Sequence, residues 1–289
     1  MNSNNPTLGV VSISHNEEKD MPYFLDHLIP WVDEIVIVDD GSTDATTDIV
    51  RLAGSKVKLV EQRLNLEAGG FAAQRNRGIK VATSDWLLHM DVDERVPPFF
   101  AREMQAAIRS TQFNAFRYHR LNFFLHRPMK GGGWQDWNNP QLARRGFHLF
   151  ENSVHEVCLI DGAPESIGQL KEMMWHLNDE SYKERMEKST VYCQNQSKRL
   201  VKRGVRMQWH CLLLLPVAEF FRKMVLKRGY RDKTAGLVWA LHASSAMFRA
   251  CALVWDEQNR LDRSVVEEEV REKWRQSATT QVQSSKVHG

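Results

Sequence analysis

The stretch Ser84–Pro98, SDWLLHMDVDERVPP, decides the fold. Trp86 to Met90 form a short, almost wholly apolar run, the pattern of a strand buried on both faces of a parallel or mixed sheet. The run ends in acid. Asp91 and Asp93 are two residues apart, so in extended backbone their carboxylates point the same way and can share one hard cation. Such a cation could hold a diphosphate. Aspartates after a strand are also ordinary turn residues and helix caps, and spacing alone does not separate the two readings.

What precedes the stretch gives it weight. Leu8–Ser14 (LGVVSIS) reads as a strand running into a polar turn at His15, Asn16 and Glu17. Met21, Phe24, Leu25, Leu28 and Ile29 then fall on one face of a helix. A second buried strand, Glu34 to Val38, ends in Asp39, Asp40, Gly41, Ser42, Thr43 and Asp44, and the next helix closes at Gly54. Val57 to Val60 predicts a third strand, and about Phe71 to Ala82 a helix. This alternation predicts an α/β fold with a parallel sheet and right-handed crossovers. Ligands of such sheets bind beyond the carboxyl ends of the strands, where all three polar clusters lie. Neither GxGxxG nor GxxxxGK[ST] is present, so a phosphate cradle of either kind is missing and a divalent metal on Asp93 is its natural substitute.

The series SISHNE, VDDGSTD, AAQRNRGI and DVDE resembles bacterial glycosyltransferase family 2. A looser similarity, carried by GGGWQDW, Arg144–Arg145, VHE, WHLND and GYRDKTAGLVWAL, points to the branch of lipopolysaccharide core glucosyltransferases. The resemblance implies a GT-A type nucleotide-diphospho-sugar transferase fold, a Rossmann-like mixed sheet flanked by helices. It also implies Mg2+ or Mn2+ as cofactor. Carried over to this chain, it places Ser14, Asn16 and Glu17 beside the nucleoside, and Asp39 or Asp40 at the base or ribose. The aspartate after the second strand commonly accepts from a uracil imide in this family, which favours UDP. Arg75 and Asn76 would position the donor, Asp91 would face the ribose or the metal's water shell, and Asp93 would bind the metal. The chain departs from the branch at Gln141, where relatives usually carry arginine, and at Asp232–Lys233, where they often read DG.

Beyond Pro98 the chain changes character, with a predicted helix Phe99 to Arg109, an aromatic strand Phe116 to Leu125, and a glycine-rich loop carrying Trp134 and Trp137. The loop could be a mobile lid whose tryptophans stack on the acceptor sugar, or its rings could be packed in a core. Arg144 and Arg145 are adjacent on a predicted strand, so one at most reaches the acceptor. An inverting transferase needs a base at the acceptor hydroxyl, for which Glu156 is the first candidate and Glu94 the second, unless Glu94 caps a helix. His155 or His176 could bind the metal or the diphosphate.

Composition sets the frame. With 289 residues, 42% hydrophobic and 26% charged, the chain can bury a sizeable core. The pattern predicts a catalytic domain over 1–180 (donor half 8–98, acceptor half 99–180), a helical region over 181–275 and a disordered tail over 276–289. Four dispersed cysteines suggest neither zinc nor disulfides, and they read as reduced and buried. The first residues do not read as a signal peptide and no transmembrane span is expected, Leu237 to Trp255 being interrupted by His242 and Arg249; the expected location is the cytoplasm. Between Lys198 and Lys233 eleven Lys or Arg face two acids, a local net charge of +9 against +3 for the whole chain. With Trp209, Leu212 to Leu215, Phe220 and Phe221 this suits an anionic membrane surface at the inner face, a packed hairpin with a solvated basic face, or a contact between copies of the chain. No nucleic-acid module accompanies it. The expected activity is inverting transfer of a hexose from a nucleotide-diphosphate sugar to a saccharide or lipid-linked acceptor of cell-surface glycan. The alternatives are a sugar nucleotidyltransferase, for which SISHNE lacks the usual glycine- and lysine-rich loop, and a non-catalytic saccharide or membrane-binding protein of the same fold.

Overall fold

The computed structural model describes residues 5–109, 112–153 and 156–286, with side chains through residue 276. The first half alternates strand and helix: β1 (Leu8–Ser14), α1 (Met21–Leu28), β2 (Glu34–Asp39), α2 (Thr46–Leu52), β3 (Val57–Glu61), α3 (Gly70–Val81) and β4 (Trp86–His89). These strands pair in parallel in the order β3-β2-β1-β4. Their continuous apolar runs are explained by burial on both faces. Ile35, Ile37 and Leu88 pack on one side with Phe24, Leu25 and Leu28 of α1. Val11, Val36, Val38 and Leu87 pack on the other with Ile79 and Val81 of α3.

Two residues set how α3 enters the fold. A Cβ on Gly78 would lie 2.4 Å from Val11 Cγ1, so the absent side chain lets the helix lie close on β1. Val11 is β-branched and 0% exposed, and it cannot swing aside. Gly78→Ala is therefore expected to cost about 1–3 kcal/mol through overpacking, read as a lower urea midpoint at unchanged slope. Glu34, buried at the start of β2, accepts the backbone N–H groups of Thr83 (2.8 Å) and Ser84 (3.0 Å) and pairs with Lys58. Burial works against its charge, but Lys58 and those N–H donors win and bring its pKa down to about 2. Glu34 thus ties the end of α3 to the strand that delivers Asp91.

The sheet continues with β5 (Glu94–Arg95), α4 (Pro98–Ala107), β6 (Ala115–Phe124), β7 (Arg127–Pro128), β8 (Asn138–Arg144), β9 (His148–Glu151), β10 (Val157–Ile160) and β11 (Ile167–Asp179). The order is β3-β2-β1-β4-β8-β6-β11-β5, with β7 paired to β6, and β9–β10 a separate hairpin. β8 runs antiparallel to β4 and β6, whereas β11 is parallel to β6. His176 on β11 lies in register with Asn122 on one side and Glu94 on the other. The register slips between His176 and Asp179, an irregularity of the kind that re-aims side chains near sites.

The glycine-rich loop, which could have been a lid, is tied down by hydrogen bonds to the segment 227–239. Asp232 accepts the N–H groups of Lys130 and Gly131 at 2.7 Å each, Gly132 N–H donates to Lys227 O (2.7 Å), and Trp239 Nε1–H donates to Gly132 O (3.0 Å). A Cβ on Gly131 would meet Arg228 O at 2.1 Å, so only glycine admits this close approach.

The chain divides differently from the sequence boundaries. One compact unit comprises Met1–Arg185 with Lys223–Trp239, the other Met186–Arg222 with Ala240–Gly289. The return of 223–239 to the first unit follows from its bonds to the glycine loop. The remaining helices are α5 (Tyr182–Lys202), α6 (Trp209–Phe221), α7 (Lys233–Asn259) and α8 (Arg263–Lys286), and α8 is helical across the 276 boundary from which disorder was expected. Within the second unit Met207, Cys251 and Val254 form a buried core with Leu200, Cys211, Leu212, Leu215 and Met247 around them. All four cysteines are free, and Cys211 is only half-buried. Among the described residues the stretch Gly229–Asn259 is long and apolar enough to cross a membrane by length and composition, which the sequence reading had not expected. A third (33%) of its most apolar window is buried in the fold; His242 is buried, and Arg249 donates to Ser189 Oγ (2.8 Å).

Candidate active site

A cleft of about 280 Å³ opens at the carboxyl ends of β1, β2 and β4, lined by Ile13 to His15, Glu17, Asp40, Phe71, Gln74 and Asp91 to Asp93. Ligands of parallel sheets bind at this edge. Of the two aspartates after β2, only Asp40 lines the cleft. Asp39 is 0% exposed and spends its carboxylate on Ser14 Oγ (2.9 Å), Ser42 N (2.8 Å) and Ser42 Oγ (2.6 Å). Ser14 therefore lends its backbone to the cleft wall while its hydroxyl closes the β2 turn. Asn16, at φ +56°, joins the same turn: its N–H donates to Ser42 Oγ and its Oδ1 accepts from Thr43 N (2.8 Å).

Asp91 and Asp93 do not share a face. The chain leaves the strand after His89 and turns, with Glu94 N–H donating to Asp91 O (3.0 Å), so the extended geometry that would align the carboxylates ends before them. Asp91 turns toward Arg75, whose Nη2 donates to it at 2.7 Å, and toward Arg120 at 3.5 Å. Burial pushes the Asp91 pKa up, but these two guanidiniums hold it well below the usual carboxylate range. Arg75 is 5% exposed and not on a solvated face; its Nε donates to Glu156 Oε1 (2.8 Å). One guanidinium thus holds the first aspartate of DVDE and the glutamate of VHE. Glu94 is 0% exposed, accepts Asp91 N–H (2.8 Å) and is ion-paired with Arg120 Nε (2.5 Å). Burial pushes its pKa up to about 7 against the pull of Arg120. Facing inward, it cannot meet an acceptor hydroxyl, and its role as second base candidate is withdrawn.

Asp93 faces His176, with Oδ2 3.1 Å from Nε2. Asn122 Nδ2 donates to Trp134 O (2.7 Å), which leaves Asn122 Oδ1 to accept, so the proton on the other His176 nitrogen, Nδ1, is fixed by that 2.7 Å contact. Neutral His176 would then point the Nε2 lone pair at a carboxylate oxygen. Two acceptors face each other, and either a proton or a cation must lie between them. Burial lowers the His176 pKa, but the Asp93 hydrogen bond and the charges of Asp93 and Glu94 outweigh it and the net shift is upward. Glu17, across the cleft, is pushed up to about 7 by burial first and then by Asp93, Asp20, Asp44 and Asp91. This surplus of negative charge and the oxygen and imidazole donors fit a hard divalent cation. Among the described residues no three His, Cys, Asp or Glu side chains form a ready-made metal cluster, and His155 lies outside the described residues.

The sequence over residues 9–160 matches the profile described as Glycosyl transferase family 2. The chain belongs to glycosyl transferase family 2. It is 24% identical over 246 residues to an uncharacterized glycosyltransferase of Rickettsia felis, spanning 82% of this chain and 85% of that one. It is 24% identical over 231 residues to a lipopolysaccharide core biosynthesis glycosyltransferase of Rhizobium meliloti, spanning 77% and 82%. Among solved structures, glucosyl-3-phosphoglycerate synthase of Mycobacterium tuberculosis superposes with a TM-score of 0.45 at 16% identity, over 70% of this chain and 81% of that one. The protein is a nucleotide-sugar-dependent glycosyltransferase, a homologue of that Rhizobium lipopolysaccharide core enzyme, with the GT-A type fold.

Several expected ligand contacts in this transferase are taken up by the fold instead. Asn76 is spent on β9, accepting Phe150 N–H and donating to Phe150 O at 2.8 Å each. Trp134 stacks on Trp239 (ring centroids 4.4 Å), with Phe124 at 6.2 Å, so it packs and does not face an acceptor. Trp137 lies under the Arg120 guanidinium, 3.8 Å from ring centroid to Cζ. Arg144 is in register with Trp86, and Arg145 Nε donates to Ser84 O (2.9 Å). Both sit at the amino-terminal end of β4, about 10 Å along the strand from its carboxyl end at His89 at 3.3 Å per residue, and neither lines the cleft. Four contributors went unrecognised in the sequence: Phe71 and Gln74 in the cleft wall, and Arg120 and Asn122 behind the acids. Phe71, Gln74 and Arg75 fall at i, i+3 and i+4 on α3, a signal available beforehand.

Proposed function

We propose that the enzyme is a metal-dependent inverting hexosyltransferase taking a nucleotide-diphosphate sugar, with UDP as the nucleotide, and passing the sugar to a saccharide or lipid-linked hydroxyl of cell-surface glycan. The carrying observation is the acid-rich cleft in which Glu17 is driven up to about 7 by burial and then by four neighbouring carboxylates. Asp93 and His176 would hold Mg2+ or Mn2+. Bound there, the ion would neutralise the diphosphate and stabilise it as a leaving group. Asp40 is the carboxylate on the cleft wall able to accept a uracil imide N–H, and Phe71 offers a ring to the base. Glu156 is the base: Oε1 is held by Arg75, and Oε2 is outside that pair and can take the acceptor proton as the oxygen attacks the anomeric carbon and the diphosphate departs.

The test is calorimetric binding of UDP, GDP, CDP and dTDP with and without Mn2+. Tight, Mn2+-dependent binding of UDP alone is the expected result; no binding by folded protein would overturn the reading. Because the cation must displace protons from His176 and Glu17, Mn2+ affinity should fall as pH drops below about 7, by about tenfold per pH unit for each proton released. A flat profile between pH 8 and pH 6 would argue against both residues.

A further inference from the structure

We propose that the exposed face of α6 is a docking surface for an anionic lipid bilayer, on which the helix lies flat. Trp209 is 74% exposed, Leu213 59%, Leu214 63%, Val217 51% and Phe221 56%. At 100° per residue these five occupy one arc of about 140°. Among the described residues of the second unit none covers that arc. The opposite side is spent on the core through Cys211, Leu212 and Leu215, and Pro216 is buried with its carbonyl accepting Ser244 Oγ (2.9 Å). Five large apolar side chains in water on one helical face form a patch that soluble surfaces seldom leave unoccupied.

Charge selects the occupant. The end of α5 (Lys198, Arg199, Lys202) and the turn leading into α6 (Arg203, Arg206) carry five exposed cations, and no acid occurs from 198 to 218. The first acid, Glu219, is already paired with Arg222 at 2.6 Å. A second copy of the chain meeting this face about a two-fold axis would bring the same five cations against themselves. An anionic headgroup layer complements them, and Trp209 at the polar end of the stripe suits the interface. α6 has 13 residues, about 20 Å of helix, too short to cross a hydrocarbon core of about 30 Å. It therefore lies on the bilayer and does not span it.

The experiment is co-sedimentation of the full chain with vesicles of phosphatidylcholine alone or mixed with phosphatidylglycerol, at low and high NaCl. The expected result is binding to the anionic vesicles only, weakened by salt. Leu213→Ser combined with Val217→Ser and Phe221→Ser should reduce that binding about tenfold or more, with far-UV dichroism unchanged because all three side chains are exposed. Lys202→Glu with Arg203→Glu should do the same by charge alone, and it carries the test if the serine variant fails to fold. Wild-type protein that ignores anionic vesicles would overturn the proposal, as would variants that bind undiminished. A wild-type dimer converted to monomer by the serine variant would assign the face to a second copy instead. None of these readouts depends on catalysis or on nucleotide binding, so the surface stands or falls apart from the donor site.

Discussion

Asp93→Asn is expected to lower kcat/KM at least about a thousandfold, about 4 kcal/mol of transition-state stabilisation, while leaving the urea midpoint nearly unchanged. The two effects separate because of where the side chain sits. Asp93 is 31% exposed, its side chain has one polar contact among the described residues, His176, and the nearly isosteric amide can keep a hydrogen bond there. What disappears is the charge that holds a cation against the diphosphate. The substitution should also shift His176. Burial alone drives that imidazole's pKa down, and the upward shift comes first from Asp93, so in the variant its titration should move below that of the wild type. NMR titration of the His176 ring checks this without any turnover. Activity within tenfold of wild type would remove Asp93 from the chemistry, and an unmoved His176 would mean that the pair is not coupled in solution.

Most of the donor half was legible in sequence because its order is local. β1, β2 and β4 are double-sided apolar runs, each followed within a few residues by acids, and a parallel sheet puts those acids at one edge. The same double-sided burial hid which aspartate faces the cleft. With every residue of β2 buried, no alternation distinguishes Asp39 from Asp40, and only the bonds from Ser14 and Ser42 decide it. The alignment of the two DVDE carboxylates fails for a related reason: the two-residue spacing puts side chains on one face only in a strand, and the strand stops at His89.

The acceptor half was less legible because its contacts are distant in sequence. Arg120 and Asn122 look like polar interruptions of an aromatic strand until β11 is laid parallel beside β6, which sets His176 next to Asn122. For Trp134 a sugar platform and a packed ring stayed equally open, since nothing nearby in the chain forecasts Trp239 as its partner. At most one of Arg144 and Arg145 was expected at the acceptor, whereas the antiparallel run of β8 against β4 carries both to the other end. Hydrophobic periodicity reports which face is buried and carries no information on which distant strand comes alongside.

Arg75→Met should be the most damaging single change in both stability and activity. Arg75 holds Asp91 at 2.7 Å and Glu156 at 2.8 Å with its own side chain 6% exposed, so its loss strands two carboxylates around a buried apolar chain. Breaking a fully buried pair by removing one partner costs about 3–5 kcal/mol; the Asp91 side chain is 35% exposed and Arg120 lies 3.5 Å from it, so water and Arg120 bring the loss to the lower end of that range or below it. The sign of the pH dependence follows from Asp91. Its folded pKa is depressed, so in the wild type its contribution is present at pH above its unfolded value and is lost as pH falls. The variant lacks that contribution at neutral pH and can relieve the stranded carboxylates by protonation. Its stability deficit should therefore be largest near pH 7 and shrink toward pH 4, read from urea midpoints at the two values. Arg75→Lys should restore part of the stability, because a point charge can neutralise one neighbour, but little of the transfer rate. An ammonium has no fork with which to hold Glu156 and Asp91 together, and the base and the DVDE turn would lose their common brace. Full activity in the lysine variant would mean that charge alone, and not the geometry of the bridge, is what the site needs from this helix.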